Sequence, residues 1–264
     1  MRKPLLSLAA ALLVTACATT AAPPAAPGGR PAPGAGDPFM RALNDPKRPE
    51  ADVARDDDRK PAEVLAFGGV RPGAKVADLI PGNGYYTRIL SRAVGPTGKV
   101  YTYVPDELTK LANRKPAVAG IADDPAYGNV EMVLNTLPNF GAPEKLDLVL
   151  SAGTYHYHYT RLLGSPNVVA INRKIYESLK PGGVFLVVEA MAPAGTAAQG
   201  AENLNRIDPA TVRADVTKAG FVFEGESPVL RTTADTYRTN ALAADAGRVD
   251  QFVYKFRKPR TAAR

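Results

Sequence analysis

Two patterns of hydrophobic and polar positions alternate along the chain from about residue 61 onward. Short apolar runs, which are typical of buried strands, are followed by stretches in which apolar residues recur at helical spacing. Alternating strands and helices predict an α/β fold with a mostly parallel sheet that helices cover on both faces. The predicted helices are 61–67, 85–94, 107–111, 168–179 and 209–219. The predicted strands are 75–80, 98–104, 130–134, 146–151, 184–189, 221–230 and 251–256.

The end of this pattern differs from the rest, because the last two predicted strands have no helix between them. A long connection over residues 231–250 joins them. They predict an antiparallel pair at one edge of the sheet, which would then have seven strands.

The start of the chain has the features of an export signal. Arg2 and Lys3 precede an apolar run over residues 5–14, which is too short to span a bilayer. Small residues then lead to Cys17, the only cysteine in the 264-residue chain. This order predicts a bacterial lipoprotein signal over residues 1–17, with Cys17 acylated and holding the mature protein on a membrane. An ordinary secretory signal, in which the cysteine is incidental, is the alternative.

The export signal predicts a protein that is lipid-anchored in the bacterial cell envelope, on the periplasmic side. Ala18 gives no sign of retention at the inner membrane, which favours the outer membrane. Residues 18–38 are dominated by Ala, Pro and Gly and predict an extended linker. A charged extension over residues 39–60 follows, then the folded domain over residues 61–259 and a basic tail over residues 260–264.

Charge is unevenly distributed but does not indicate a nucleic-acid partner. The formal net charge is +7, and part of the excess lies in residues 255–260. A nucleic-acid surface would need a basic stripe with interleaved aromatic residues, which the rest of the chain does not supply. Residues 55–60 (RDDDRK) are typical of a solvated helix start. The alternative is a lid in which Arg59 contacts a carboxylate of substrate or cofactor.

The candidate ligand site lies where the first strand of the predicted sheet meets the following helix. Residues 81–84 (PGNG), the glycine loop, separate this strand from a helix that opens at Tyr85, and Asp78 precedes the first glycine by four residues. Glycines here let the backbone turn sharply and approach a ligand closely. Ligands of open α/β sheets bind beyond the carboxyl ends of the strands. The sequence therefore predicts a ligand site beside Asp78 and the glycine loop.

The glycine loop and two later segments resemble the motifs of class I S-adenosylmethionine-dependent methyltransferases. Residues 76–87 (VADLIPGNGYYT) resemble motif I, residues 146–151 (LDLVLS) the fourth-strand motif, and residues 179–185 (LKPGGVF) the turn into the fifth strand. Residues 59–67 (RKPAEVLAF) and 252–259 (FVYKFRKP) add a resemblance to a family of exported bacterial proteins that is usually described as predicted methyltransferases.

This resemblance, which extends over about residues 40–259, implies a Rossmann-like fold, S-adenosylmethionine as cofactor, and a small-molecule or envelope-associated methyl acceptor. Carried over position by position, it places Asp78 and residues 82–84 at the methionine part of the cofactor, residues 135 and 136 near the adenine, and Ser151 at the methyl donor. The implied cofactor-binding residues are Asp78, Gly82, Asn83, Gly84, Tyr86, Asn135, Thr136 and Ser151.

Two positions depart from the family pattern. Ile80 stands where motif I usually has its first glycine. The second strand ends at Val104, where the family usually has an acid that holds the ribose hydroxyls. Asp106 follows two residues later and would replace that acid only if the loop bends back.

Both histidines of the chain lie in residues 155–159 (YHYHY), directly after the fourth predicted strand. If this segment is extended, His156 and His158 point to one side. His156 is then a candidate general base, with Tyr155 and Glu189 as further candidate catalytic residues. Glu189 stands where the resemblance implies a histidine. The alternative is an aromatic loop that packs on the domain. No metal site is predicted, because no further His or Cys is available to complete a ligand set.

Two functions remain open at this point. The first is an enzyme that transfers a methyl group from S-adenosylmethionine to an unidentified acceptor. The second is a catalytically degenerate protein of the same fold that serves as a binding or structural lipoprotein of the cell envelope. Its motivation is the absent second-strand acid and the export away from any evident cofactor supply. The fold does not choose between them, because function resides in sites.

Overall fold

The computed structural model describes residues 37–113, 115–243 and 248–260 of the chain. The predicted signal peptide with its lipidation site Cys17, most of the predicted linker, and the tail beyond Arg260 lie outside the described residues. None of the helices within the described ranges combines the length and hydrophobicity that a membrane span requires.

Helices and strands alternate through the described chain. The helices are α1 (Pro38–Leu43), α2 (Glu50–Val53), α3 (Asp56–Arg59), α4 (Pro61–Gly68), α5 (Tyr85–Val94), α6 (Asp106–Ala112), α7 (Ala119–Ala122), α8 (Val168–Ser178), α9 (Ala201–Leu204) and α10 (Pro209–Lys218). The strands are β1 (Lys75–Leu79), β2 (Lys99–Pro105), β3 (Val130–Asn135), β4 (Leu146–Ala152), β5 (Leu179–Ala190), β6 (Val222–Ser227) and β7 (Gln251–Arg257).

The strands form one seven-stranded sheet in the order β3-β2-β1-β4-β5-β7-β6. The first five strands are parallel, and β7 is antiparallel to both β5 and β6. The predicted fold, a mostly parallel sheet with an antiparallel edge pair, is confirmed. Asp78 lies beside Thr102 on β2 and Leu150 on β4, near the carboxyl end of the central strand β1.

Side chains of the central strands alternate between two apolar layers. Val76 of β1 and Leu148 of β4 pack with α4 and α5 on one face, whereas Ala77 and Val149 pack with α8 and α10 on the other. Because helices cover both faces, these strands are apolar throughout, and they are visible in the sequence as nearly unbroken runs.

The predicted boundaries hold to within a few residues except at β5. This strand begins at Leu179 rather than at residue 184, because Leu179 already pairs with Leu146 of β4. The register shifts between Leu146 and Leu148, where the KPGG segment bulges out of the pairing.

The charged extension packs on the domain instead of standing in solvent. The carboxylate of Asp37 accepts a hydrogen bond from the backbone N of Phe39 at 2.7 Å and caps α1, so the last two residues of the predicted linker already belong to the fold. The Arg48 side chain is fully buried, and its guanidinium contacts both carboxylate oxygens of Asp56 at 2.6 and 2.7 Å. The Tyr85 hydroxyl of α5 donates to Asp56 at 2.7 Å. The fold therefore begins well before residue 61, where the sequence pattern places it.

Ion pairs also hold the long connection between β6 and β7. The fully buried guanidinium of Arg206 contacts the carboxylate of Asp235 at 2.7 Å. Asp250 accepts hydrogen bonds from the guanidinium of Arg231 at 2.9 Å and from the Tyr237 hydroxyl at 2.8 Å. These contacts place the connection at the carboxyl end of β5 and the amino end of β7.

Candidate active site

The glycine loop turns the chain from β1 into α5 through three residues with left-handed backbone conformation. Ile80, Gly82 and Gly84 have φ angles of 56°, 58° and 81°. The backbone N of Ile80 donates to the carbonyl oxygen of Tyr103 at 2.9 Å, which ties the loop to β2. A β-branched residue in this region is strained by about 1–3 kcal/mol. Ile80 thus keeps the backbone shape that the family obtains with glycine.

The two glycines of the loop serve different purposes. A Cβ atom on Gly84 would lie 2.2 Å from Cδ1 of Ile121, so this glycine permits close packing against α7. A Cβ atom on Gly82 would have nothing within 4 Å. Gly82 therefore leaves open space beside the loop, where a ligand can approach the backbone.

That space is a cleft of about 160 Å³ between the glycine loop and α6. One wall is polar backbone, from Pro81, Gly82 and Asn83. The opposite wall is largely apolar and is lined by Val104, Leu108, Thr109, Pro116 and Ala117. A recess with one backbone wall and one apolar wall suits a flat heterocyclic group.

Two acids directly after β2 stand near the position at which the family has its ribose-binding acid. β2 extends to Pro105, one residue beyond the predicted end, and Asp106 and Glu107 open α6. The Oε2 atom of Glu107 is buried, with no hydrogen-bond partner in the part of the chain that the structure describes. The sequence reasoning missed Glu107, although an acidic pair at the end of the second strand is a usable indication.

Asp78 lies beneath the loop and is 2% exposed. Its Oδ2 atom accepts a hydrogen bond from the Thr87 hydroxyl of α5 at 2.7 Å. Burial raises the pKa of Asp78 to about 6, against the lowering effects of the Thr87 hydrogen bond and of the positive charge on Arg59. Asp78 therefore joins β1 to α5, and it does not line the cleft.

The residues predicted near the adenine do not line the cleft, although β3 pairs with the end of β2. Asn135 is exposed at the end of the edge strand β3, and its Oδ1 atom accepts a hydrogen bond from Thr136 N at 2.8 Å. The Thr136 carbonyl accepts a hydrogen bond from the Tyr103 hydroxyl at 2.6 Å. Neither Asn135 nor Thr136 lines the space beside the glycine loop.

A second and larger recess, the arginine cavity, lies beyond the ends of β4 and β5 and measures about 440 Å³. Three parts of the chain form it: the ends of α2 and α3, the segments after β4 and β5, and the connection before β7. Its lining residues include Arg55, Asp58, Arg59, Gly153, His156, Glu189, Asn205, Arg248 and Gln251. A narrow neighbouring recess shares Arg59, Gly153 and Gln251 with it and reaches Tyr86 and Ala152. Arg59 therefore stands between the arginine cavity and the start of α5.

The segment 155–159 is a short 3-10 helix, not the extended chain on which the sequence argument relied. With this geometry Tyr155 and His158 come together, their ring centroids 4.8 Å apart, while His156 turns towards β5. The Nδ1 atom of His156 lies 3.1 Å from Oε2 of Glu189, and the backbone N of His156 donates to the same oxygen at 3.2 Å. His156 and Glu189, both candidates from the sequence, thus form one hydrogen-bonded pair.

This pair leaves one imidazole nitrogen free. The Nε2 atom of His156 is buried and has no hydrogen-bond partner within the described ranges. With the proton on Nδ1 facing the Glu189 carboxylate, Nε2 carries a lone pair and is a proton acceptor. The arrangement is that of a general base oriented by a carboxylate.

The other two candidates near this pair pack in the core. Tyr155 is fully buried, and its hydroxyl accepts a hydrogen bond from Nδ2 of Asn172 at 2.7 Å. Ser151 is fully buried, with its hydroxyl 3.0 Å from that of Thr154. His158 is buried, which lowers its pKa to about 3, so its imidazole is neutral. No group of three His, Cys, Asp or Glu residues that could hold a metal ion occurs among residues 37–113, 115–243 and 248–260.

Sequence comparison connects the chain with methyltransferases, although no protein-family model matches it. It is 31% identical over 135 residues to the ubiquinone/menaquinone biosynthesis C-methyltransferase UbiE of Ectopseudomonas mendocina, which covers 49% of this chain and 47% of that protein. It is 33% identical over 130 residues to the protein of the same name from Psychromonas ingrahamii, covering 47% of this chain and 46% of that protein. The chain spans about half the length of the curated relatives it matches.

Solved structures with the same fold include a SAM-dependent methyltransferase from Aquifex aeolicus. Its TM-score is 0.53 at 21% sequence identity, and the match covers 83% of this chain and 98% of that one. A 1,6-didemethyltoxoflavin-N1-methyltransferase of Burkholderia thailandensis, solved with S-adenosylhomocysteine, has a TM-score of 0.51 at 16% identity, covering 84% and 85%. The [4+2]-cyclase SpnF has a TM-score of 0.56 at 16% identity, covering 82% and 85%. The chain therefore has the fold of class I S-adenosylmethionine-dependent methyltransferases and shares sequence with methyltransferases over about half of its length.

Proposed function

We propose that this chain is an S-adenosylmethionine-dependent methyltransferase that acts on a small-molecule acceptor. The observation that carries the proposal is the placement of two recesses at one end of the sheet. A cleft lies at the glycine loop, after β1 and β2, and a cavity with a histidine–carboxylate pair lies after β4 and β5. Enzymes of this kind need to hold a cofactor and an acceptor next to each other, because methyl transfer depends on positioning.

The residues at the glycine loop fit the cofactor. Gly82 and Asn83 offer backbone groups to its polar part, and Val104 and Leu108 offer an apolar wall to its base. Asp106 and Glu107 follow directly after β2 and are our candidates for the ribose hydroxyls, although neither of them lines the cleft. When bound, S-adenosylmethionine supplies a methyl group on a positively charged sulfur. Tyr86 and Asp78 support the loop from beneath.

His156 is the proposed general base. An acceptor hydroxyl, amine or activated carbon must lose a proton when it gains a methyl group. The Nε2 atom of His156 is placed to take that proton, and the Glu189 carboxylate then stabilises the imidazolium that forms. Tyr155, the first residue of the 3-10 helix that carries His156, supports this pair by packing against His158 and Tyr159 of the same helix.

The catalytically degenerate alternative is not favoured. Its motivation was the pair of departures at Ile80 and Val104. Ile80 nevertheless adopts the left-handed conformation, and two acids follow β2 within two residues. The unpartnered Nε2 atom of His156, which lines the arginine cavity beside Glu189, also supports a catalytic role over a purely structural one.

The proposal includes the location of the protein. The order of charged, apolar and small residues before Cys17 supports export and acylation of that cysteine, with the mature domain held on the envelope by its lipid. It also supports membership of the exported family of predicted methyltransferases. Globomycin sensitivity of processing, or radiolabelled palmitate incorporation that Cys17→Ser abolishes, tests the anchor.

Calorimetric titration of the purified full chain with S-adenosylmethionine and S-adenosylhomocysteine tests the activity proposal at its first step. We expect saturable binding of both, with a rise in melting temperature. Absence of heat and of any thermal shift with both ligands would exclude the proposed cofactor. Release of S-adenosylhomocysteine in the presence of envelope extract, lost in the His156→Ala variant, would then connect binding with turnover.

A further inference from the structure

The arginine cavity has an unusual balance of charge. Among the residues that the structure describes, three guanidinium groups line it, from Arg55, Arg59 and Arg248, against two carboxylates, from Asp58 and Glu189. The Glu189 carboxylate is already engaged with the imidazole and backbone N of His156. In the described part of the chain, no carboxylate lies within 4.0 Å of the guanidinium groups of Arg55 or Arg59.

Arg59 is held in place although it has no such partner. Its guanidinium carbon lies 4.6 Å from the centre of the Tyr85 ring, and that of Arg55 lies 5.8 Å from the same ring. Tyr85 is fixed in turn by its hydrogen bond to Asp56. Burial and the neighbouring charge of Arg55 lower the pKa of Arg59. Two like charges are therefore kept close together on a rigid aromatic platform, an arrangement that an incoming anion would stabilise.

A second and independent feature of the cavity also indicates a ligand. His156 lines it, its side chain is 1% exposed, and its Nε2 atom has no hydrogen-bond partner among the described residues. A buried polar atom without a partner costs free energy that a ligand group can recover. The cavity volume of about 440 Å³ is within the range of small-molecule sites.

We propose that the arginine cavity binds an acceptor that carries a carboxylate or phosphate group, which Arg55, Arg59 and Arg248 hold while the acceptor's proton-bearing group lies at His156. This inference rests on the proposed methyltransferase function and assigns the substrate class of that site. The arginines act as a clamp for the anion, because guanidinium groups bind carboxylate and phosphate oxygens through paired N–H donors.

Fluorine NMR titration of the purified full chain, without cofactor, tests this assignment with matched probes. The probes are 4-fluorobenzoate, its neutral counterpart 4-fluorobenzamide, and 4-fluorophenyl phosphate. We expect one or both anions to bind at least about tenfold more tightly than the amide, as a charge-assisted pair implies. The stronger of the two anions identifies the group that the cavity prefers.

Substitutions that remove a positive or a negative charge from the cavity should change anion binding in opposite directions. Arg59→Gln and Arg248→Gln are expected to weaken anion binding by about five- to tenfold each, and Asp58→Asn, which removes a negative charge from the lining, is expected to strengthen it. Arg161→Gln is the matched control, because Arg161 is exposed and outside the cavity. Arg248 is exposed, so its variant should fold even if Arg59→Gln does not.

Equal affinity for the amide and both anions, or unchanged anion binding in Arg59→Gln and Arg248→Gln, would overturn the assignment. A tenfold loss of S-adenosylhomocysteine affinity in Arg59→Gln with no change in probe binding would also overturn it, because the arginine would then hold the cofactor's own carboxylate. Arginine-dependent anion selectivity in a chain that binds no S-adenosylhomocysteine would support the anion site and reject the methyltransferase function.

Discussion

His156 Nδ1 lies 3.1 Å from Glu189 Oε2, and both side chains are only 1% exposed. The carboxylate selects the imidazole tautomer with its proton on Nδ1, which leaves Nε2 as the acceptor. The pairing joins β5 to the 3-10 helix after β4, so the base is fixed by the sheet rather than by a mobile loop.

Glu189→Gln should reduce catalysis by about 10²- to 10⁴-fold while leaving cofactor binding unchanged. The carboxamide still accepts the hydrogen bond from His156 N, but it cannot stabilise an imidazolium. Nitrogen NMR of the imidazole should show the Nδ1–H tautomer in the native chain and a mixture in the variant. Glu177→Gln, at a side chain that is 55% exposed, is the control. A variant with full turnover would remove Glu189 from the mechanism.

Gly82→Ala should weaken binding of S-adenosylhomocysteine at least about tenfold, because the methyl group enters the cleft at the glycine loop. Gly164→Ala is the matched control. Both glycines have positive φ angles, 58° and 73°, and open space where a Cβ would stand, so both variants should lose a similar ~1 kcal/mol of stability. Gly164 does not line the cleft. Equal loss of affinity in both variants would show that strain, not occupation of the cleft, is responsible.

Ile80→Gly should be more stable than Ile80→Ala, by about 1 kcal/mol, because only glycine relieves the left-handed strain at φ 56°. Both variants lose the packing of a side chain that is 8% exposed. Ile89, in the middle of α5, is the comparison position. There the alanine variant should be the more stable of the two, since glycine is less favourable than alanine in a helix by about 1 kcal/mol. Chemical denaturation of the four variants measures both differences, and the same order at both positions would disprove strain at Ile80.

Asp56→Asn should destabilise the chain by about 3–5 kcal/mol, because it leaves the fully buried guanidinium of Arg48 without its charged partner. Asp57→Asn, one residue away and fully exposed, should have no measurable effect. The Tyr85 hydroxyl would then donate to a neutral amide oxygen instead of a carboxylate, which should loosen the platform under Arg59, so anion-probe binding should fall together with stability. Unchanged denaturation midpoints in both variants would mean that the extension is not part of the cooperative fold.

The sheet could be predicted from the sequence because β1, β4 and β5 are buried on both faces, and each shows as a short apolar run. The packing of the extension could not be predicted, since α1 to α3 are stabilised by pairs such as Arg48–Asp56. In the sequence alone, such charged residues are typical of a solvent-exposed segment. Local sequence contains no information on which distant partner a charged residue will find.

The candidate site was predictable only in part, because one of its recesses follows from a local motif and the other from contacts between distant residues. The glycine loop is a local motif, and its position after a buried strand was sufficient to place it. The arginine cavity depends on the connection before β7, whose course is set by the contact of Arg206 with Asp235, 29 residues away. Asn135 and Thr136 were expected at the cofactor; β3 is the edge strand beside β2, and neither residue lines the cleft.

The pH dependence of the free energy of unfolding should reflect the titration of Asp78. Burial raises the pKa of this carboxyl to about 6. The unfolded chain releases this proton near pH 4, whereas the folded chain keeps it until about pH 6. Folding therefore binds a proton in this window, and the contribution of Asp78 to stability falls by roughly 2–3 kcal/mol as the pH rises from 4 to 6. Asp78→Asn has no such proton and still accepts a hydrogen bond from Thr87.

The stability of Asp78→Asn relative to the native chain should therefore increase by that amount between pH 4 and pH 7, as measured by urea denaturation at each pH. Other carboxylates cancel in this difference, including Glu224, whose pKa the Arg257 hydrogen bond lowers to about 2. Asp57→Asn, at a fully exposed side chain, is the control. A variant that is more stable at pH 7 but binds S-adenosylhomocysteine more weakly would show that the buried carboxylate is retained for the cofactor. If Asp78→Asn binds S-adenosylhomocysteine with the affinity of the native chain, the role of Asp78 is only to hold the glycine loop on α5.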